Sequence, residues 1–173
     1  MSNRNFIIVI VVVGLALGAL FVKTKKAEPV LARLGTKQSD EGRQHVAQTE
    51  KIQYKATIPT SGPHSQEASW GVSPVQKPNE SVVHNMEHGG IVISYKPDLD
   101  PDTVSKLTAL FEKPYSVSTF LPTKAIVMPR SEQSKPIVLA SWNRGLQLDN
   151  FDQQKIIDYY NTNIGKSPEP KGR

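Results

Sequence analysis

No cysteine occurs anywhere in the 173-residue chain. This excludes disulfides, thiolate metal ligands and a cysteine nucleophile, and it leaves the redox compartment open. Charge of one sign is also scarce: 21 Lys and Arg stand against 16 Asp and Glu, a formal net charge of +5. Arg4, Lys23, Lys25 and Lys26 supply four of those positives around one apolar segment. The rest is nearly balanced and offers no nucleic-acid footprint. A G-x-S-x-G elbow and a phosphate-cradling glycine loop are both missing, which removes two large classes of hydrolase and nucleotide-binding chemistry. No internal repeat is visible.

Only one long hydrophobic run exists, FIIVIVVVGLALGALFV from Phe6 to Val22. At 1.5 Å per residue it reaches about 25 Å, the short end of a bilayer crossing and long for a signal-peptide core. Leu20, Phe21 and Val22 are too large for a small-x-small cleavage site. The run is therefore expected to be an uncleaved signal-anchor in the lipid bilayer, with a cleaved signal as the second reading. Its flanking positives can meet anionic headgroups. Charge alone leaves the orientation open, because the heavier cluster follows the span while Arg4 and the α-amino group precede it. The expected organisation is a flank over 1–5, a transmembrane anchor over 6–22, a polar tether over 23–40, a globular domain over 41–165 and a disordered tail over 166–173.

Residues 41–70 are rich in Gly, Pro, Ser and Thr and should be mostly loop, with one short strand around Ile52–Tyr54. GIVISY, from residue 90, is β-branched and reads as a strand. DPDTVSKLTALFEK reads as a helix with Asp100 as N-cap and Pro101 in its first position. KAIVMP and PIVLASW are two more strands, and LDNFDQQKIIDYYNTNIG is a last helix, capped near Asp149 or Asn150 and stopped by Gly165. A strand–helix–strand crossover makes the first two strands parallel or near neighbours, and a hairpin adds an antiparallel partner. The fold class is α+β: a small mixed sheet, two helices on one face, and a long N-terminal loop region.

Chemistry concentrates in HNMEHGG, residues 84–90. His84 and His88 are four apart, so they converge on a strand and on a helix alike. On a strand, Met86 joins them and gives an N,N,S set suited to copper. On a helix, Glu87 joins instead and gives an N,N,O set acceptable to zinc. The second arrangement spells the inverted-zincin pattern, but Gly89 and Gly90 end any helix at once, which weakens a protease reading. IPTSGPH, residues 58–64, presents His64 from a loop stiffened by Pro59 and Pro63. His45 is uninformative alone, and Met128 ends a strand. Bland alternatives stand beside each: a polar turn at 84–90, a proline-rich connector at 58–64, and core positions for Met128, Trp70 and Trp142.

GRQHV at 42–46, IPTSGPH at 58–64, WGV at 70–72, VHNMEHGGIVISY at 83–95 and LASW at 139–142 together resemble the family of domain of unknown function 3105. The resemblance covers about residues 41–165. It implies a bacterial domain held outside the cytoplasmic membrane by an N-terminal hydrophobic segment. Its motif positions include His45, His64, His84, Glu87 and His88. Ile58 stands where the family commonly has Pro. Met86 stands where Leu is frequent, which counts against Met86 as an obligatory ligand.

All four histidines of the chain fall inside these motifs. The expected function is a membrane-anchored extracytoplasmic module that binds a transition metal, copper before zinc, without catalysis. His84 and His88 are its central ligands, His64 the third, and His45, Met86 or Met128 complete the shell. One alternative is a zinc-dependent hydrolase with Glu87 as general base. The other is a metal-free module that binds another envelope protein, for which the imidazoles would lie more than about 8 Å apart.

Overall fold

The computed structural model describes residues 32–171. The anchor expected over 6–22, its flank and the first part of the tether lie outside the described residues. Among the described residues, no helix is long and apolar enough to cross a membrane.

Among the described residues nine elements follow in order: β1 (Thr36–Lys37), β2 (Gly71–Val72), α1 (Asn79–Glu87), β3 (Ile91–Tyr95), α2 (Pro101–Ala109), β4 (Ala125–Pro129), β5 (Ile137–Ser141), β6 (Arg144–Leu148) and α3 (Gln153–Asn163). The six strands form one mixed sheet in the order β1-β6-β5-β3-β4-β2. β3 and β4 are parallel and joined through α2, as the crossover pattern predicts. The predicted hairpin is placed differently. β5 passes to the other side of β3 and pairs with it antiparallel, so the true hairpin is β5–β6. Its two-residue connection places Asn143 at φ 54, a left-handed conformation that Asn tolerates better than most residues. The β6 sequence, RGLQL, carries Arg, Gly and Gln and so lacks the apolar alternation that would mark it. No strand forms at Ile52–Tyr54.

Strand alternation sorts the core into two layers. Ile91, Ile93, Ala125, Val127, Ile137 and Leu139 face α2 and α3 and pack with Leu107, Ile156 and Tyr159. Both late helices therefore cover one face, as expected. Asp100 caps α2 by accepting from Thr103 N at 2.9 Å, with Pro101 opening the helix. The cap of α3 is Asp152, accepting from Lys155 N at 3.0 Å, rather than Asp149 or Asn150.

Val92, Ile126, Met128 and Ala140 point to the opposite face, where they meet Val82, Val83 and Met86 of α1 and the ring of Trp142. Tyr54, Ile58 and Trp70 from the long loop pack against the same layer. Intrinsic propensity for α1 is poor: it is nine residues long, holds adjacent valines and two Asn, and has no side-chain cap. Burial of Val82, Val83 and Met86 supplies what propensity does not.

Both chain ends of the expected domain reach further than the sequence suggests. Arg33 donates to Trp142 O at 2.8 Å and Asn163 Oδ1 at 2.9 Å, and β1 pairs with β6, so residues 33–38 belong to the domain rather than to a tether. Residues 166–171, expected as a free tail, run back along α1, with Glu169 N donating to Glu87 O at 3.1 Å.

Leu139 is fully buried at the sheet centre. Truncating Leu139→Ala should cost about 2–5 kcal/mol, read as a lower urea midpoint with an unchanged denaturant slope.

Candidate metal centre

Helix geometry decides which neighbours His84 acquires. Positions 84, 87 and 88 share one face of α1, so His84, Glu87 and His88 project together. Met86 lies about 200° around the helix from His84 and is buried with Val82 and Val83 against the sheet. The expectation that Met86 completes the shell is therefore corrected: a helix, not a strand, carries the motif. Met128 is corrected for a similar reason. It points from β4 into the same apolar layer, and its sulfur accepts from Lys77 N at 3.3 Å.

His64 arrives from the proline-stiffened loop. That loop runs beside residues 42–46 as a short parallel bridge between His45 and His64, held by His64 N to Gln44 O at 2.8 Å and Val46 N to His64 O at 2.9 Å. Gly62 sits at φ +123, and a Cβ there would meet the Tyr54 ring at 2.9 Å, so the bend needs glycine. The Tyr54 hydroxyl ties the same loop by donating to Pro63 O at 2.6 Å. Asn85 fixes the next stretch to α1 by pairing both its amide groups with Ala68, each at 2.9 Å.

The rings converge. Their centroids are 4.5 Å apart for His45 and His64, 5.0 Å for His45 and His84, 5.0 Å for His64 and His84, and 4.5 Å for His84 and His88. Donor atoms of His45, His64 and His84 all lie within 4.8 Å of one another, and so do those of His84, Glu87 and His88. His64 and Glu87 are fully buried, His84 is half-buried, and His45 is exposed. The cluster is thus sealed on the protein side and open at His45.

Two carbonyls fix which nitrogens face inward. His64 Nδ1 lies 2.9 Å from Gly62 O, and His84 Nδ1 contacts Ser65 O. A carbonyl can only accept, so each Nδ1 carries the proton and a neutral ring presents its Nε2 lone pair to the cluster. Burial pushes His64 below the ordinary histidine value, against the opposing pull of the Gly62 carbonyl and of Glu87. That favours the neutral ring.

Glu87 Oε2 is 2.9 Å from His64 Nε2 and 3.9 Å from His45 Nε2. His64 and Glu87 thus stand at ion-pair distance, both buried. Neither His64 Nε2 nor either Glu87 oxygen has a hydrogen-bond partner among the described residues.

Two carboxylates near His88 carry no sequence motif. Glu67 Oε2 is 3.6 Å from His88 Nδ1, and Glu169 Oε2 is 3.9 Å from His88 Nε2. Glu67 has a signal in hindsight, three residues after His64 on the same stiff loop. Glu169 has none, because its place depends on the tail folding back. The double glycine is explained here too: Gly89, at φ +82, ends α1, and a Cβ on it would lie 2.8 Å from Gly165. Trp142, expected as core or pocket wall, is buried with its ring 6.5 Å from His64.

The sequence model of the family described as protein of unknown function (DUF3105) matches residues 45–173. The chain belongs to that family. No curated protein and no solved structure matches it. The DUF3105 match contains all four histidines and Glu87, so the whole cluster is assembled within the family domain.

Because the native state of the metal-free DUF3105 domain holds His64 neutral while the unfolded chain titrates near 6.5, unfolding takes up a proton below that pH. Stability of the metal-free protein should be fullest above about pH 6.5 and fall as pH drops towards the depressed folded value. Urea unfolding across pH 5–8 checks this, and His64→Asn should flatten the slope.

Proposed function

We propose that this DUF3105 domain binds a divalent transition-metal ion through its clustered imidazoles. The observation that carries the reading is the pairing of two carbonyl-locked rings, His64 and His84, with the buried carboxylate of Glu87. Metal-bound histidines characteristically donate their second ring N–H to a carbonyl or carboxylate. His64 and His84 are the central ligands, exposed His45 closes the set from the solvent side, and Glu87 supplies an oxygen. With Met86 and Met128 both in the core, the soft sulfur that favoured copper is absent from the donor set. Three imidazoles and a carboxylate suit zinc, with Cu²⁺ its strongest competitor by intrinsic affinity for nitrogen.

Binding without catalysis is the favoured form. A groove of about 580 Å³ is lined by β5, β6 and the 56–60 loop and by no histidine. Glu87 is 1 % exposed, a poor position for a base that must reach a substrate. The metal-free envelope-interaction reading called for rings more than about 8 Å apart, whereas neighbouring rings are 4.5–5.0 Å apart. The domain acts on the outer side of the cytoplasmic membrane, held by the run Phe6–Val22. The uncharged run and its flanking positives support the anchor, while the outer side rests on what the family resemblance implies, since charge leaves the orientation open.

Metal content of the full, untagged chain tests the reading. Zinc should bind more tightly than micromolar, and His64→Ala and His84→Ala should each weaken it by roughly 100-fold or more. Met86→Leu, which conserves volume, should leave affinity unchanged. Tight binding that survives both histidine changes would end the proposal. Protons compete for the same nitrogens, so affinity should also fall as pH drops through the imidazole range.

A further inference from the structure

Four buried polar atoms in the cluster have no hydrogen-bond partner among the described residues: His64 Nε2, Glu87 Oε1, Glu87 Oε2 and His88 Nδ1. One ion among His45, His64 and His84 accounts for the imidazole of His64 and one oxygen of Glu87. The other Glu87 oxygen and His88 Nδ1 then stay buried without a hydrogen bond, which proteins seldom tolerate. We infer that the centre takes a second cation, bridged to the first by the carboxylate of Glu87 and held by His88 Nδ1 and Glu67.

The geometry beside His88 is that of two ligands rather than a hydrogen-bonded pair. Glu67 Oε2 and His88 Nδ1 are 3.6 Å apart, too far for an N–H···O bond. Two ligands about 2.1 Å from one tetrahedral ion stand roughly 3.4 Å apart. His84, Glu87 and His88 form a second donor group within 4.8 Å, overlapping the group of His45, His64 and His84 at His84. His84 belongs to both, and its single free nitrogen closes one of them. A carboxylate spans two ions about 3.5–4 Å apart, a common spacing in two-metal sites. Bridging thus accounts for both oxygens of Glu87 at once. Glu169, 3.9 Å from the opposite nitrogen of His88, lies on the far edge of that ring.

The inference rests on the metal-binding proposal above, and the stoichiometry of Zn²⁺ separates the two. The full, untagged chain is stripped, loaded with Zn²⁺, freed of excess by gel filtration and assayed for zinc per chain. Two ions per chain are expected. Glu67→Gln, at a partly exposed loop position, and His88→Ala should each reduce the count to one. One ion per chain in the unaltered protein overturns the second site and leaves the first standing. Two ions retained by both variants also overturn it, since the extra zinc would then sit elsewhere. No zinc at all overturns both proposals. Loading with Cu²⁺ gives an independent readout: two ions bridged by Glu87 should couple magnetically and lose the isolated-copper EPR signal, which Glu67→Gln should restore.

Discussion

The carbonyl oxygens of Gly62 and Ser65 decide the chemistry of the cluster, because each takes the Nδ1 proton of one imidazole and leaves the other nitrogen as a lone pair. Most of the surrounding structure can be understood as the means of holding those two carbonyls still. Pro59 and Pro63 stiffen the loop, Gly62 allows its bend, and the Tyr54 hydroxyl and the bridge to residues 44–46 tie it from two sides. Asn85 does the same for the next turn of chain by clamping both polar groups of Ala68. A looser loop would let the rings exchange tautomers, and the inward face would no longer have a defined charge.

The sheet contributes by position. Its α1 face receives one short helix whose own sequence barely supports helicity, and the valines and methionine of that helix are buried so that the opposite stripe can carry His84, Glu87 and His88. Packing on one side and polar convergence on the other follow from a single 3.6-residue period. The same period removes Met86 from the donor set. Its thioether is two positions away from His84, which on a helix means the far side.

Elements with strong local signals were legible in the sequence. Asp100–Pro101 marks a helix start by cap chemistry, and the β-branched runs at 91–95 and 125–129 mark strands whose parallel pairing follows from the helix between them. The four histidines could be gathered as one candidate site because their motifs held them all. Long-range placement was not legible. Nothing local distinguishes α1 as helix from strand, since spacing by four satisfies both, and that ambiguity is what admitted Met86. β6 hides because Arg144, Gly145 and Gln147 interrupt its alternation. The strand order, with β5 crossing to the far side of β3, is a property of the assembled sheet. Glu169 owes its place to Gly165 meeting Gly89, a contact between residues 76 positions apart.

That last contact has a bearing on biosynthesis. Every imidazole of the cluster has been translated by residue 88, yet α1 is held in place by strands that end at residue 148, and the segment after α3 lies across its end. A partial chain would carry all the donors with nothing to orient them, and loose histidines bind metals with little discrimination. Under the metal-binding proposal, a selective site would form only once the strands through residue 148 are in place.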